Sequence, residues 1–232
     1  MNTKSLRKFS VSFARAGYSA AGPLPCFVAV ALLLSAAPGR AQFGAPQTLQ
    51  VHDASALHPP AGARVAIVEF ADLECPACAH ANPLLTSAAA NYKLPWVRHD
   101  FLIPNHNWSR QAAIIARFFD TKATKSEALG NEYRDYIFAN QISIESLADL
   151  NAWTQKFAAA HKIAMPFAVD PMGKFAAEVQ ADSDLGRRTG ITQTPTVFIV
   201  IGNSKAPPYI QVLNIDQDLY RDIDQALAEA KR

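Results

Sequence analysis

The sequence predicts an α/β fold: a small mixed sheet with helices packed on it and a helical block inserted between its strands. Three features of the 232 residues carry that prediction. An apolar run reaches Glu69-Phe70 and passes through a short turn into a helical pattern that begins at Cys75. Residues 108–189 hold four amphipathic helical stretches and almost no strand pattern. Two further apolar runs, Thr196–Ile201 and Tyr209–Leu213, lie close together and precede a last helix. Strand-rich parts separated by one long helical stretch make a layered domain with an insertion. The division is therefore 64–107 and 190–232 for the sheet-bearing domain, 108–189 for the inserted subdomain and 42–63 for a lead-in.

Composition narrows the function classes. Half of the residues are hydrophobic and 18% are charged, which is globular and sufficient for a good core. The formal charge of +2 is unevenly spread. Lys4, Arg7, Lys8, Arg15 and Arg40 all precede residue 42, and no Asp or Glu does. Taking those five from 22 leaves 17 basic against 20 acidic groups, a balance of −3 that gives no electrostatic case for nucleic acid.

Residues 1–41 read as a signal peptide. A basic start precedes the apolar run Cys26–Ala37, and Gly39-Arg40-Ala41 puts small residues before a cut at Gln42. The run is shorter than the roughly 20 residues of a membrane span, although an uncleaved anchor stays open as the alternative. Cleavage removes Cys26 and leaves Cys75 and Cys78, a close pair in an oxidising, periplasmic or otherwise extracytoplasmic compartment.

The elements follow in order. The lead-in is mostly irregular, broken by Pro46, Pro59, Pro60 and Gly62, with a short edge strand expected at Gln47–Val51. Arg64–Phe70 is apolar on both faces, as a central strand is. A helix runs from Cys75 toward Tyr92, with Pro76 in the first position, where a missing N–H costs nothing, and Pro83 expected to kink it. Pro95–Ile103 reads as a second strand, and Asn107 as the N-cap of the next helix. Ser109–Asp120, Ser126–Asn140, Glu145–His161 and Met172–Arg188 have helical spacing, the last ended by Gly190. Thr196–Ile201 and Tyr209–Leu213 read as an antiparallel hairpin, and Asp216–Arg232 as the closing helix. Tyr133, Tyr136 and Trp153 fall at core spacing.

The chemistry centres on Cys75-Pro76-Ala77-Cys78. A thiol at a helix start meets unpaired N–H groups and the positive end of the helix dipole, which favour the thiolate. Zinc would require four ligands, and there is no second cysteine pair; His99 and His106 lie far downstream with unsuitable spacing. A disulfide across two intervening residues constrains almost nothing in the unfolded chain, so a redox pair is the stronger reading. Cys75 is expected to be the exposed nucleophile and Cys78 the shielded partner. Ala77 brings no charge to the thiolate. Glu69 sits in an apolar strand where burial is expensive; it reads either as a carboxylate satisfied at a strand end or as an acid–base group that moves the proton of Cys78 through water. His80 and Glu74 read as solvated flanking residues. Pro195, before a strand, is permitted there as an ordinary trans proline.

With these residues in view, the chain resembles the exported thioredoxin-fold thiol–disulfide oxidoreductases of the DsbA type, including BdbD-like oxidases. The resemblance rests on Val68-Glu69-Phe70, the Cys75–Cys78 motif, the helical insertion, and Thr194-Pro195-Thr196 before a hairpin and last helix; it covers most of residues 60–232. It implies a thioredoxin fold with an inserted helical subdomain, a cis Pro195 facing the cysteine pair, and a buried glutamate at Glu69. It also implies that the backbone at Thr194 pairs with an extended substrate segment. Pro76, Ala77, Thr194 and Pro195 would then line the substrate site. Where the best-known oxidase of this type has His, this chain has Ala77, which implies a milder oxidant.

The expected activity is protein disulfide oxidation through a Cys75–Cys78 redox disulfide, with no other cofactor and no metal. The expected partners are exported cysteine-containing proteins and a membrane redox partner that restores the pair, with no nucleic acid. A disulfide reductase or isomerase, and a non-catalytic exported chaperone or metallochaperone, remain the alternatives on the residues alone.

Overall fold

The computed structural model describes residues 48–122, 128–204 and 207–231. The expected signal segment 1–41, residues 42–47 of the lead-in, the helix start at Ser126 and the terminal Arg232 lie outside the described residues. Strand β1 (Val65–Ala71) leads to helix α1 (Pro76–Tyr92) and strand β2 (Trp96–Asp100). Helices α2 (Ser109–Lys122), α3 (Ala128–Asn140), α4 (Leu147–Ala160) and α5 (Lys174–Thr189) form the inserted block, with a single 3-10 turn at Gln141–Ser143. Strands β3 (Thr196–Ile201) and β4 (Tyr209–Val212) precede helix α6 (Ile215–Glu229). The sheet order is β2-β1-β3-β4. β1 runs parallel to β2 and antiparallel to β3, and β3 and β4 form the antiparallel hairpin.

The pleat of β1 divides the core. Val65 and Ile67, with Val197, Ile199 and Ile201 of β3, face Leu85 and Ala88 of α1 and Leu219 and Ile223 of α6. Ala66, Val68 and Phe70, with Phe198 and Val200, face the other way, against Leu57, Phe101 and Ile191. Burying such side chains stabilises the fold by about 1.5–3 kcal/mol each. A third cluster belongs to the inserted block. Phe119, Tyr133 and Phe157 meet with ring centroids 4.9–5.2 Å apart, and the cluster extends to Leu73, Cys75 and Cys78. The inserted helices thus pack directly on the turn that carries the cysteines.

Two glycines shape α5, one inside it and one as its cap. A Cβ on Gly186 would lie 2.4 Å from the Phe101 ring, so this glycine lets α5 lie against the sheet edge. Gly190 ends α5 at φ +99, and its N–H donates to the carbonyls of Gly186 and Arg187.

Several boundaries differ from the sequence expectation. Residues 48–51 form no edge strand. Leu49 N–H donates instead to Gln211 Oε1 at 2.7 Å, and His52 N–H to the Thr189 carbonyl at 3.1 Å. A side chain and a helix end thus take backbone groups that a neighbouring strand would have paired. β2 stops at Asp100 because side chains take over its ladder: Ser183 Oγ accepts from Leu102 N–H, and Asp72 Oδ2 from Ile103 N–H. The N-terminus of α2 is capped by Glu74 rather than Asn107; Glu74 Oε2 accepts from the N–H groups of Trp108 (2.7 Å) and Ser109 (3.1 Å). Glu74 is therefore a half-buried cap, not a solvated flank. Helix α1 runs through Pro83 as one element. Among the described residues, no helix is long and apolar enough to cross a membrane.

Candidate active site

The site starts from the turn between β1 and α1. Asp72 is buried; its Oδ1 accepts from Glu74 N–H and its Oδ2 from Ile103 N–H, both at 2.8 Å, while its carbonyl accepts from Cys75 N–H. This Asx turn fixes where the next helix begins. Cys75 is the N-cap residue of α1, extended at φ −80 and ψ 118, and its carbonyl accepts from Cys78 N–H and Ala79 N–H. Its sulfur therefore lies at the mouth of the helix, where the first N–H groups lack helical partners. Pro76 and Ala77 are exposed. Cys78, one turn in, is fully enclosed at 0% exposure; Cys75, expected to be exposed, is itself largely covered at 9%, because the inserted helices pack on the turn that carries it. Both cysteines are free thiols.

The opposite wall comes from the segment before β3. The Thr194–Pro195 peptide bond is cis. Thr194 brings its carbonyl oxygen within 3.4 Å of Cys75 Sγ, and the thiol donates to it across 119 positions of sequence. A groove of about 350 Å³ opens beside this contact, lined by Ala77, Thr194, Pro195, Leu213 and Asp216 among others.

Electrostatics separates the two thiols. Cys75 is drawn down to about 6, first by the hydrogen bond from the Cys78 thiol, then by Thr194 and the N–H groups of Cys78 and Ala77, against burial, which opposes the charge. Cys78 is pushed strongly up, chiefly by burial, then by its bond to Cys75 and the negative charges of Cys75 and Glu69. Thiolate character is thereby concentrated on one sulfur, and no side chain at position 77 is needed for it.

Glu69 lies on β1 on the face shared with Val65 and Ile67, entirely buried. Burial raises its carboxyl to about 7, opposed mainly by Arg98. Arg98 pairs with it across the β1–β2 ladder, with Nε 3.7 Å from Glu69 Oε2. The guanidinium also donates to Asn82 Oδ1, to Asp135 Oδ1 at 2.8 Å and to the Asn131 carbonyl, and it stacks over Trp96. His80 is exposed, pairs with Asp216 at 2.9 Å and lines the groove beside Ala77 and Pro195. His99 and His106 are engaged by Asp182 and Asp72. Among the described residues, no group of three or more His, Cys, Asp or Glu could hold a metal ion.

A family model described as thioredoxin matches residues 60–204, more than half of the 232. The chain belongs to the thioredoxin family. No curated protein matches the sequence. Among solved structures, this thioredoxin-family chain is similar to alpha-DsbA1 of Wolbachia pipientis, at TM-score 0.61 and 17% identity, over 76% of this chain and 92% of that one. It is similar to alpha-DsbA2 of the same organism, described as a thiol-disulfide exchange protein, at TM-score 0.54 and 16% identity, over 72% and 84% of the two chains. A periplasmic thioredoxin-like protein of Salmonella enterica serovar Typhimurium matches at TM-score 0.52 and 19% identity, over 75% and 87%. At these identities the likeness is one of fold: a thioredoxin fold carrying a helical insertion, as in DsbA-type proteins.

Within that thioredoxin-family fold, the residues singled out from sequence come together. Cys75 and Ala77 lie beside Thr194 and Pro195, with Cys78 and Glu69 behind; Pro76, expected on the same wall, instead lines a separate pocket with Trp108, Gln141 and Ile142, because the helix start turns it toward the inserted block. Three participants escaped the sequence reading. Asp72 orders the turn, and its place two residues before Glu74 is an Asx-turn signal that could have been read. Arg98 pairs with Glu69, but only the ladder register shows it. Gln141, from the inserted block, donates through Nε2 to the carbonyls of Leu73 (2.7 Å) and Cys75 (3.1 Å) and holds the redox turn. Nothing in its sequence context marks it.

Proposed function

We propose that this protein is an exported thiol–disulfide oxidoreductase of the DsbA type that oxidises cysteine pairs in other exported proteins. One observation carries the reading: two thiols one helical turn apart, the outer at a helix mouth and held near 6, the inner enclosed and pushed up. Such a pair is most stable reduced, with one thiolate and one thiol, and so its disulfide is an oxidant.

In the oxidised protein, a substrate thiolate attacks Cys75 Sγ and breaks the Cys75–Cys78 bond. Cys78 leaves with the electron pair and takes a proton, for which Glu69, poised near neutrality and charge-coupled to Cys78, is the nearby acid. A second substrate thiolate then attacks the substrate sulfur of the mixed disulfide and expels Cys75 as a thiolate. The substrate gains a disulfide, and the enzyme holds the two electrons. The Thr194 carbonyl and the groove beside Pro195 suit an extended client segment. A membrane redox partner accepts the two electrons and restores the disulfide. The basic, apolar start of the chain, and the periplasmic description of the Salmonella relative, support an extracytoplasmic site of action.

Equilibration with glutathione redox buffers, combined with oxidation of a dithiol peptide, tests the direction. An oxidising poise with rapid peptide oxidation supports the oxidase. A thioredoxin-like reducing poise with insulin reduction replaces it with a reductase. Client binding that survives Cys75→Ser without turnover replaces it with a chaperone.

A further inference from the structure

Beside Glu69 is a small, partly open pocket of about 10 Å³, room for about one water molecule, lined by Glu69, Arg98, His99, Asp100, Arg134 and Phe138 among others. Three of these residues bring buried polar atoms with no hydrogen-bond partner in the protein: both carboxylate oxygens of Glu69, Nε of Arg98 and Nε of Arg134. Buried polar groups are rarely left unpaired, and here two donors and an acceptor share one small space. The 3.7 Å between Arg98 Nε and Glu69 Oε2 is too long for a direct hydrogen bond, so each is left to find a partner from the side.

We propose that this cavity is a built site for a single water molecule, to which the inserted helical block contributes Arg134 as the positioning residue for Glu69. The water accepts from the two Nε–H groups and donates its two hydrogens to the Glu69 carboxylate, so all four of its hydrogen-bond positions are used. A protonated Glu69 would bring a further donor to a water whose two lone pairs are already taken. The site therefore favours the carboxylate and offsets part of its burial.

The titratable and charged groups around Glu69 are Arg98, His99 and Asp100 from β2, Arg134 and Asp135 from α3, and Cys78 from α1, with the Trp96 indole of β2 also turned toward its carboxyl. Arg134 is itself held by Asp100, with Nη2 to Oδ2 at 3.0 Å, and Asp100 is shared with Arg117 at 2.7 Å. Through this pair, the placement of α3 on the sheet edge sets the proton affinity of the group behind Cys78. The water site itself stands on the cavity and its orphan atoms; only its consequence for Cys78 rests on the exchange reaction proposed above.

The test has two parts. A crystal structure of the reduced wild-type protein with ordered solvent should contain one water within hydrogen-bond reach of Glu69, Arg98 Nε and Arg134 Nε. A dry cavity overturns the proposal. Carbon-13 NMR titration of the Glu69 carboxyl in the reduced protein should show a midpoint near 7. In Arg134→Met it should rise by about one pH unit, with the pH profile of Cys78 alkylation moving with it. Arg134→Lys keeps the charge, loses Nε–H and should fall between; it also serves if the methionine variant does not fold. Arg117→Met removes an equal charge from the same aspartate without lining the cavity and should leave the midpoint near that of wild type. No shift in Arg134→Met, or an equal shift in Arg117→Met, overturns the proposal. The titration uses no substrate, so a protein that shows it but lacks exchange activity would sink the exchange reading alone.

Discussion

The two faces of β1 use the same seven residues differently. On one face Ala66, Val68 and Phe70 are apolar and enclosed in a hydrophobic cluster, with the Phe70 ring also stacked on His99. On the other, Val65 and Ile67 are equally apolar, but the third residue is Glu69, just as deeply buried. The first face is what a covered sheet requires. The second departs from it where the strand passes behind Cys78, and the departure is costly, since burial holds the carboxyl near 7. A fold-only strand would be apolar there, so the difference separates what the fold needs from what the proposed chemistry needs.

The widest break in the comparison removes the chemistry and keeps both faces. Cys75→Ser should abolish disulfide exchange with model peptides and leave the thermal transition near that of the reduced parent. Next, Phe198→Ala opens the apolar face and should lower stability by about 3–5 kcal/mol in urea titration, with the Cys75 thiolate absorbance still titrating near 6. An altered thiol titration would mean that the two faces are not separable.

Glu69→Gln sharpens the contrast through pH. Glu69 is raised from its ordinary 4.5 to about 7, so between these values the native state keeps a proton that the unfolded state has lost. Stability is then highest below 4.5, falls as pH rises toward 7 and is level above it. The variant should lack this slope and exceed the parent at pH 8 by up to about 3 kcal/mol. A parent whose stability rises over that window would overturn the assignment. Gln141→Leu should cost about 1–2 kcal/mol for its two lost hydrogen bonds and leave both faces of β1 unchanged by NMR. The smallest effect belongs to Ala77→His, which should bring the Cys75 titration somewhat below 6 by adding a cation beside the thiolate.

Local patterns made much of this molecule legible in advance. Strand and helix types follow from apolar spacing, and the helix start at Cys75 from Pro76. The misreadings occurred where distant side chains do work that neighbours usually do. Gln211 pairs the backbone of Leu49, so 48–51 is not a strand; Ser183 and Asp72 end β2; Glu74 replaces Asn107 as the cap of α2. Each contact spans tens of residues or more, and a local pattern carries no information about it.

The sequence by itself determined the layered α/β order, the insertion and the thiol pair at a helix mouth, because propensity, periodicity and capping act within a few residues of chain. Only the tertiary structure decided what surrounds that pair. It brought the Thr194 carbonyl to Cys75, Arg98 to Glu69, and Gln141 and Arg134 from the inserted helices to the redox turn and its buried carboxylate. The proton affinities of Cys75, Cys78 and Glu69 depend on burial and on charges a few ångströms away, and those distances exist only once the chain has folded.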